Sequence, residues 1–180
     1  NLPYMTGEAD VPASELDILL DPAGPPYDLF APPKEPVPFA DYAMALHAAT
    51  LVRDGGTLQI GIGSFADALA HALVLRHTRN AEFRRLVASL GTELHPEAQL
   101  GPFVDGLYGC SEMLVDGFLA LRRAGILKRK VQAATQPPAE GAPRDERQAI
   151  VHAGFFIGSK AFYDELKRLA PDERDEIAMT

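Results

Sequence analysis

The chain has 180 residues, of which 47% are hydrophobic and 23% charged, enough for one packed domain or for a domain and a tail. A net charge of −8 and an isoelectric point near 5.1 argue against nucleic acid or an anionic membrane as the main partner, while leaving room for a local basic pocket. One cysteine excludes an internal disulfide framework and fits a reducing, cytoplasmic setting. No run approaches the roughly 18 apolar residues that span a bilayer. The opening Asn1-Leu2-Pro3-Tyr4 lacks the basic start of a signal peptide. An opening without Met and a close at Thr180 suggest a piece of a longer chain.

Residues 1–37 are read as a proline-rich tail or linker from a preceding domain, because nine of the 15 prolines fall before residue 39 and proline breaks helices and central strands. The folded unit is placed at 38–180. Phe39, Tyr42, Ala43, Leu46 and Ala49 recur at helical spacing, which predicts an amphipathic helix from Phe39 to Val52, stopped by Asp54-Gly55-Gly56. Thr57-Leu58-Gln59-Ile60 reads as a short buried strand. The turn Gly61-Ile62-Gly63-Ser64 leads into a second helix, and Ser64 and Asp67 stand at capping-box spacing. A third helix is expected over Asn80–Ser89, inside a polar stretch, Arg76 to Gln99, whose arginines are read as a solvated face.

Leu107 to Met113 is read as an apolar run that ends in a glycine turn at Gly109 and delivers Glu112 at a strand-to-helix junction, ahead of a helix from Met113 to Ala124. A carboxylate there is costly to bury unless it is used or paired. It fits a nucleophile, or a group that favours the helix dipole, a role that Asp116 suits better. Cys110 fits packing, or a thiol nucleophile for which no histidine stands in an obvious partner position. The five histidines show no metal spacing, so no metal site is assigned. Gln136 to Arg147 is a loop, Ile150 to Gly158 a strand, and Ser159 or Lys160 opens a helix that Pro171 ends before an exposed acidic tail.

The order of elements gives an α/β fold in three layers with a mostly parallel sheet, whose ligands bind at the carboxyl ends of the strands. Gly61 to Ser64, Gly109 to Glu112 and Gly158 to Lys160 then share one rim. The turn also matches G-x-G-x-x-A, a dinucleotide-binding spacing, but the acid expected about 20 residues on has no candidate. A substrate-binding turn and a merely structural turn are the other readings.

Four blocks carry a resemblance. Asp54 to Gly63, with Asp-Gly-Gly-Thr-Leu-Gln-Ile-Gly-Ile-Gly, is similar to the "DGatLQlGIG" signature of the acetyl-CoA hydrolase/transferase family, which includes 4-hydroxybutyrate and succinyl-CoA:acetate CoA-transferases. Tyr108 to Met113, continuing through Asp116-Gly117, Leu121 and Ala124-Gly125-Ile126, resembles its "GihsEm..DG...L...Gvi". Phe155 to Lys160 with Tyr163-Asp164 resembles "sF..GskrlYdf", and Gly7 to Asp17 resembles the stretch joining the family's two halves. The resemblance implies a CoA-transferase-like (NagB/RpiA-like) domain fragment of a divergent subgroup. Glu112 falls on a glutamate that forms a glutamyl-CoA thioester, and Gln59 to Gly63 on a loop lining the acyl site.

The candidate substrate- and CoA-binding residues are Gln59, Gly61, Ile62, Gly63, Ser111 and Gly158. The substrates implied are acyl-CoA and small carboxylic acids, or water as acceptor. The coenzyme A thioester is a substrate and no cofactor is bound tightly. No nucleic acid or membrane is implied, and a homo-oligomer is compatible. The Arg76 to Gln99 stretch departs from the family, as does the absence of the family's amino-terminal half, so the piece alone is expected to be inactive. The alternatives are a non-catalytic CoA- or nucleotide-binding module of the same fold and an NAD-binding oxidoreductase domain.

Overall fold

A computed structural model describes residues 2–7, 11–20, 24, 27–132 and 148–180. In chain order its elements are β1 (Thr6–Gly7), α1 (Phe39–Leu51), β2 (Thr57–Leu58), α2 (Ser64–Thr78), α3 (Asn80–Ser89), β3 (Tyr108–Leu114) and α4 (Asp116–Arg123). There follow β4 (Val131–Gln132), β5 (Gln148–Ala149), β6 (Val151–Phe156), α5 (Lys160–Arg168), α6 (Pro171–Asp175) and β7 (Ile177–Met179). The loop read at Gln136 to Arg147 lies outside the described residues.

Five strands form one sheet in the order β1-β7-β6-β3-β2, parallel throughout, with β3 and β6 inside it. This is the α/β architecture with a parallel sheet that the alternation of strands and helices predicts. The chain steps from β2 to β3, β6 and β7 in one direction across the sheet. Right-handed crossovers then put the connecting helices on one side, and α2, α4 and α5 indeed border a common groove. Beneath them lies the core, which includes Leu58, Ile60, Leu73, Leu114, Phe118, Phe162 and Leu166.

Glycine and alanine let these layers approach. A Cβ at Gly117 would stand 2.6 Å from Ile60 Cδ1 and 3.2 Å from the Ala70 Cβ, so α4 rides close on α2 and the sheet only because that side chain is missing. In α1 the buried positions are Ala45, Ala49 and Thr50, whereas Phe39 is 94% exposed and Tyr42 is exposed too. The apolar stripe expected to start at Phe39 is therefore rotated: short side chains fill the buried face, Phe39 faces out, and Tyr42 meets the His71 ring of α2 at its edge.

Four local expectations are corrected. The strand at Tyr108 does not turn at Gly109; it runs on to Leu114, and the helix begins at Asp116. Gly109 sits flat in β3 because a Cβ there would meet Val151 Cγ2 at 2.6 Å and Phe118 Cε1 at 2.9 Å. It is a packing glycine between β6 and α4. The Ser64–Asp67 capping box does not form either. Ser64 Oγ donates to Asp41 Oδ2 at 2.5 Å, Asp67 pairs with Lys34, and Gly63 at φ 116 stands at the N-cap.

Arg76, assigned to a solvated face, is 1% exposed. Its guanidinium donates to the carbonyls of Gly101 (2.7 Å), Ala49 (2.8 Å) and Val52 (2.6 Å) and lies over the Phe103 ring. Burial lowers its pKa, opposed by the Asp54 charge. Lastly, the acidic run Asp172 to Glu176 is exposed only at Asp172 and Asp175, and it is ordered structure instead of a tail. Pro171 opens α6, Glu173 and Glu176 pair with Arg122, and β7 is buried beside β6.

Asp54 organises the approach to the sheet. Its carboxylate accepts the N–H groups of Val104 (2.7 Å), Gly106 (2.8 Å), Asp105 (3.0 Å) and Gly55 (3.1 Å). Burial alone would raise the Asp54 pKa, but these four donors outweigh it and hold the group below its ordinary value. The loop before β3 is thereby fastened to the loop before β2.

Candidate active site

Side chains of a strand point to alternate faces. On β3, Gly109 faces α4, and Ser111 shares that side, its Oγ donating to the Ile60 carbonyl at 3.2 Å. Tyr108, Cys110 and Glu112 therefore point to the opposite face, and Cys110 and Glu112 are exposed there. Glu112 lies near the carboxyl end of a central strand, two residues before its last. It stands neither at a strand-to-helix junction nor in the first turn of a helix, and in the described chain it is not in a dry pocket. That correction follows from the extension of β3 past Gly109.

The register supplies its neighbours. Ser111 pairs with Ala153 and Met113 with Phe155, which sets Gly154 of β6 beside Glu112. On the other side Leu58 pairs with Gly109. That register, continued along the extended chain and held by the Ser111–Ile60 bond, sets Gln59 beside Cys110 and Gly61 beside Glu112. Gln59, Gly61, Cys110, Glu112 and Gly154 are all exposed. Three of the residues singled out in the sequence, Gln59, Gly61 and Glu112, thus come together on one open face of the sheet.

The others do not join them. Ile62, Gly63 and Gly158 line a pocket of about 270 Å³ at the carboxyl rim, with Gly61 as the link between pocket and open face. Pro32, Pro33 and Lys34 cross over that pocket, and Lys34 Nζ lies 3.2 Å from Asp67 and 3.8 Å from Asp116. Asp116, in the first turn of α4, accepts from Ser159 Oγ (2.6 Å) and the Ser159 N–H (3.1 Å). Ser159 Oγ in turn caps α5 by accepting from the Phe162 N–H. Gly158 has no room for a side chain, since a Cβ would meet Phe162 Cδ1 at 2.5 Å and Asp116 Oδ2 at 2.6 Å. It joins two helix starts at the rim, where parallel sheets receive ligands. Ser111, also singled out, holds β2 to β3 from the helix side.

A second cluster underlies the open face. Tyr108 Oη and His152 Nδ1 share a 2.7 Å hydrogen bond between buried side chains of adjacent strands, with Arg129 over the Tyr108 ring. Burial and the neighbouring Cys110 push the Tyr108 hydroxyl above its ordinary pKa, and Arg129 pulls it back in part. Spacing in the sequence gave no sign of this pair, because it depends on the β3–β6 register. Lys34 and Gly154 were likewise missed, the one within a proline-rich run and the other within a strand-like one. No group of three or more His, Cys, Asp or Glu among the described residues is placed to hold a metal ion. None of the described helices is long and apolar enough to cross a membrane.

No family model matches the chain. Over 164 residues it is 26% identical to the 4-hydroxybutyrate coenzyme A transferase of Clostridium kluyveri, an alignment covering 91% of this chain and 28% of that protein. The crystal structure of RipA from Yersinia pestis superposes with a TM-score of 0.56 at 21% identity, over 98% of this chain and 30% of that one. A mutant form of RipA gives a TM-score of 0.54 at 20% identity over the same shares of the two chains. This chain therefore spans under a third of the length of the relatives it matches. It carries a distant CoA-transferase-like relationship over most of its residues and shares the fold of the matching part of RipA.

Proposed function

We propose that the chain carries the nucleophile of an acyl-CoA transferase or hydrolase with a NagB/RpiA-like fold, and that Glu112 is that nucleophile. The observation behind it is the position of Glu112, an exposed carboxylate near the carboxyl end of a central parallel strand, flanked by Gly61 and Gly154. The relationship to a 4-hydroxybutyrate coenzyme A transferase supports the reaction class.

The chemistry needs a carboxylate and a thioester. A Glu112 carboxylate oxygen attacks the acyl-CoA carbonyl, the C–S bond breaks, and a mixed anhydride forms as CoA leaves as thiolate. The thiolate then attacks the glutamyl carbonyl of the anhydride, which releases the first acid as its carboxylate and leaves CoA on Glu112 as a thioester. A second carboxylate reverses the two steps to give a new acyl-CoA. Water instead hydrolyses the thioester and restores Glu112.

Gln59 and Gly61, beside Glu112 on the open face, hold the thioester against the nucleophile. The face around Glu112 needs covering from beyond the described residues before water is excluded. Glu112→Gln in the native gene product tests the assignment. Turnover falls by several orders of magnitude, while the thermal midpoint barely moves because the side chain is exposed. A Gln variant that keeps turnover within tenfold of wild type overturns it.

A further inference from the structure

Ahead of α1, the proline-rich stretch does more than link. Leu29 and Val37 pack against the core and pin its two ends. Between them the chain crosses the rim pocket, with Pro32, Pro33 and Lys34 in the pocket wall. From Asp28 to Val37 the backbone makes one hydrogen bond to the other described residues, the Phe30 carbonyl accepting from Tyr163 Oη at 2.7 Å. Pro32, Pro33 and Pro36 have no N–H to give and hold φ fixed, so the span is stiff yet belongs to no sheet or helix. A stiff span pinned at its ends moves as one piece.

Its middle is held by charge. Lys34 Nζ lies 3.2 Å from Asp67, in the first turn of α2, and 3.8 Å from Asp116, in the first turn of α4. The three side chains are 48%, 38% and 28% exposed, so the pairs add little stability and yield to salt. Holding the fold together does not explain such a bridge. A weak contact that a stiff span sets across a cavity suits a closure that opens and shuts. What it shuts out is water. Gly61 lines the pocket and stands beside Glu112, so the pocket leads to the thioester from the β2 side. Water arriving there hydrolyses the glutamyl-CoA thioester before a second acid takes the CoA, a side reaction that a closed site suppresses. The open face needs cover from beyond the described residues, but the pocket has its cover in place.

We infer that residues 29–37 are a roof over the rim pocket and that Lys34 is its latch, a positioning residue that sets how much of the thioester goes to water and how much to a second carboxylic acid. The latched roof favours transfer. The inference rests on the proposed role of Glu112 and chooses between transfer and hydrolysis, which that role leaves open.

The test gives the native gene product butyryl-CoA with acetate or propionate as acceptor, and counts the new acyl-CoA and the free CoA separately. Wild type forms more new acyl-CoA than free CoA. Lys34→Ala raises the ratio of hydrolysis to transfer by about tenfold as water enters, and Lys34→Arg restores the wild-type ratio. Raising the salt from about 0.05 to about 0.5 M screens the latch, which shifts the wild-type ratio the same way and leaves that of Lys34→Ala where it was. The melting midpoint of Lys34→Ala stays put, and a fall of several degrees overturns the latch. A ratio that Lys34→Ala leaves unchanged, an equal loss of both products, or a wild type that releases mostly free CoA overturns the roof, even where Glu112→Gln is dead. A Glu112→Gln that turns over overturns the nucleophile, and the inference with it.

Discussion

At the scale of single residues, one buried side chain and one packing glycine decide much of the fold. Arg76 binds three backbone carbonyls from two segments in a place where water does not reach. Arg76→Met keeps the apolar stem, removes the donors, and leaves the Ala49, Val52 and Gly101 carbonyls short of partners. An unsatisfied buried group costs on the order of 1–3 kcal/mol, so the variant should lose about 3 kcal/mol, read as a fall in the chemical denaturation midpoint. A loss under about 0.5 kcal/mol would show that these carbonyls find water. Gly109→Ala forces a Cβ into Val151 and Phe118 and should cost about 1–3 kcal/mol through overpacking.

The same scale shows where reading residues in order fails. The sequence placed a glycine and a carboxylate at Gly109 and Glu112, and a glycine after an apolar run looks like a turn. Whether it turns or packs depends on Val151 and Phe118, residues that lie elsewhere in the chain and meet it only in the sheet. Arg76 looked like its neighbours Arg79, Arg84 and Arg85, which are exposed. Only the carbonyls around it set it apart, and carbonyls carry no sequence signal.

At the scale of elements, the periodic ones were legible. The third helix lies over Asn80–Ser89, where its spacing put it, and α5 follows Ser159 and ends before Pro171 as capping and proline chemistry dictate. β7 was hidden because Ile177 to Met179 follows a run of charges whose partners, Arg122 above all, are distant in sequence. The loop that carries Asp54 and the last turn of α2, which carries His77, supply a pH test. His77 accepts the Phe103 N–H at Nδ1, and burial first, then Lys128, lowers its pKa below 6.5, Asp54 opposing.

The unfolded chain thus takes up the His77 proton before the folded one does, and stability declines as pH falls below 6.5. Asp54, depressed below 3.8, contributes stability above that value and loses it as pH falls through its lower folded value. Thermal midpoints measured from pH 8 to pH 3 should fall in two stages, and His77→Gln should remove the first. A midpoint flat to pH 5 in the wild type would contradict the burial of a neutral His77.

At the scale of the whole molecule, a parallel sheet carries its helices α2, α4 and α5 on one side and an exposed carboxylate on the other. The rim pocket and the open face meet at Gly61. The sequence made the residues of both visible through their glycines, but it could not divide them between two sites, because that division is set by strand direction and register. Lys34 bridges the rim through exposed pairs with Asp67 and Asp116. Such pairs contribute little to stability, under about 1 kcal/mol, so Lys34→Ala should leave the melting midpoint nearly unchanged, and a drop of several degrees would give the strap a structural role.

The central claim is that Glu112 forms a bond to coenzyme A. The native gene product, incubated with an acyl-CoA and then reduced with borohydride, should carry a glutamyl thioester converted to the alcohol, mapped by mass spectrometry to the peptide containing Glu112 and absent from Glu112→Gln. Reduction at any other residue, or none in a preparation that turns over, would contradict it.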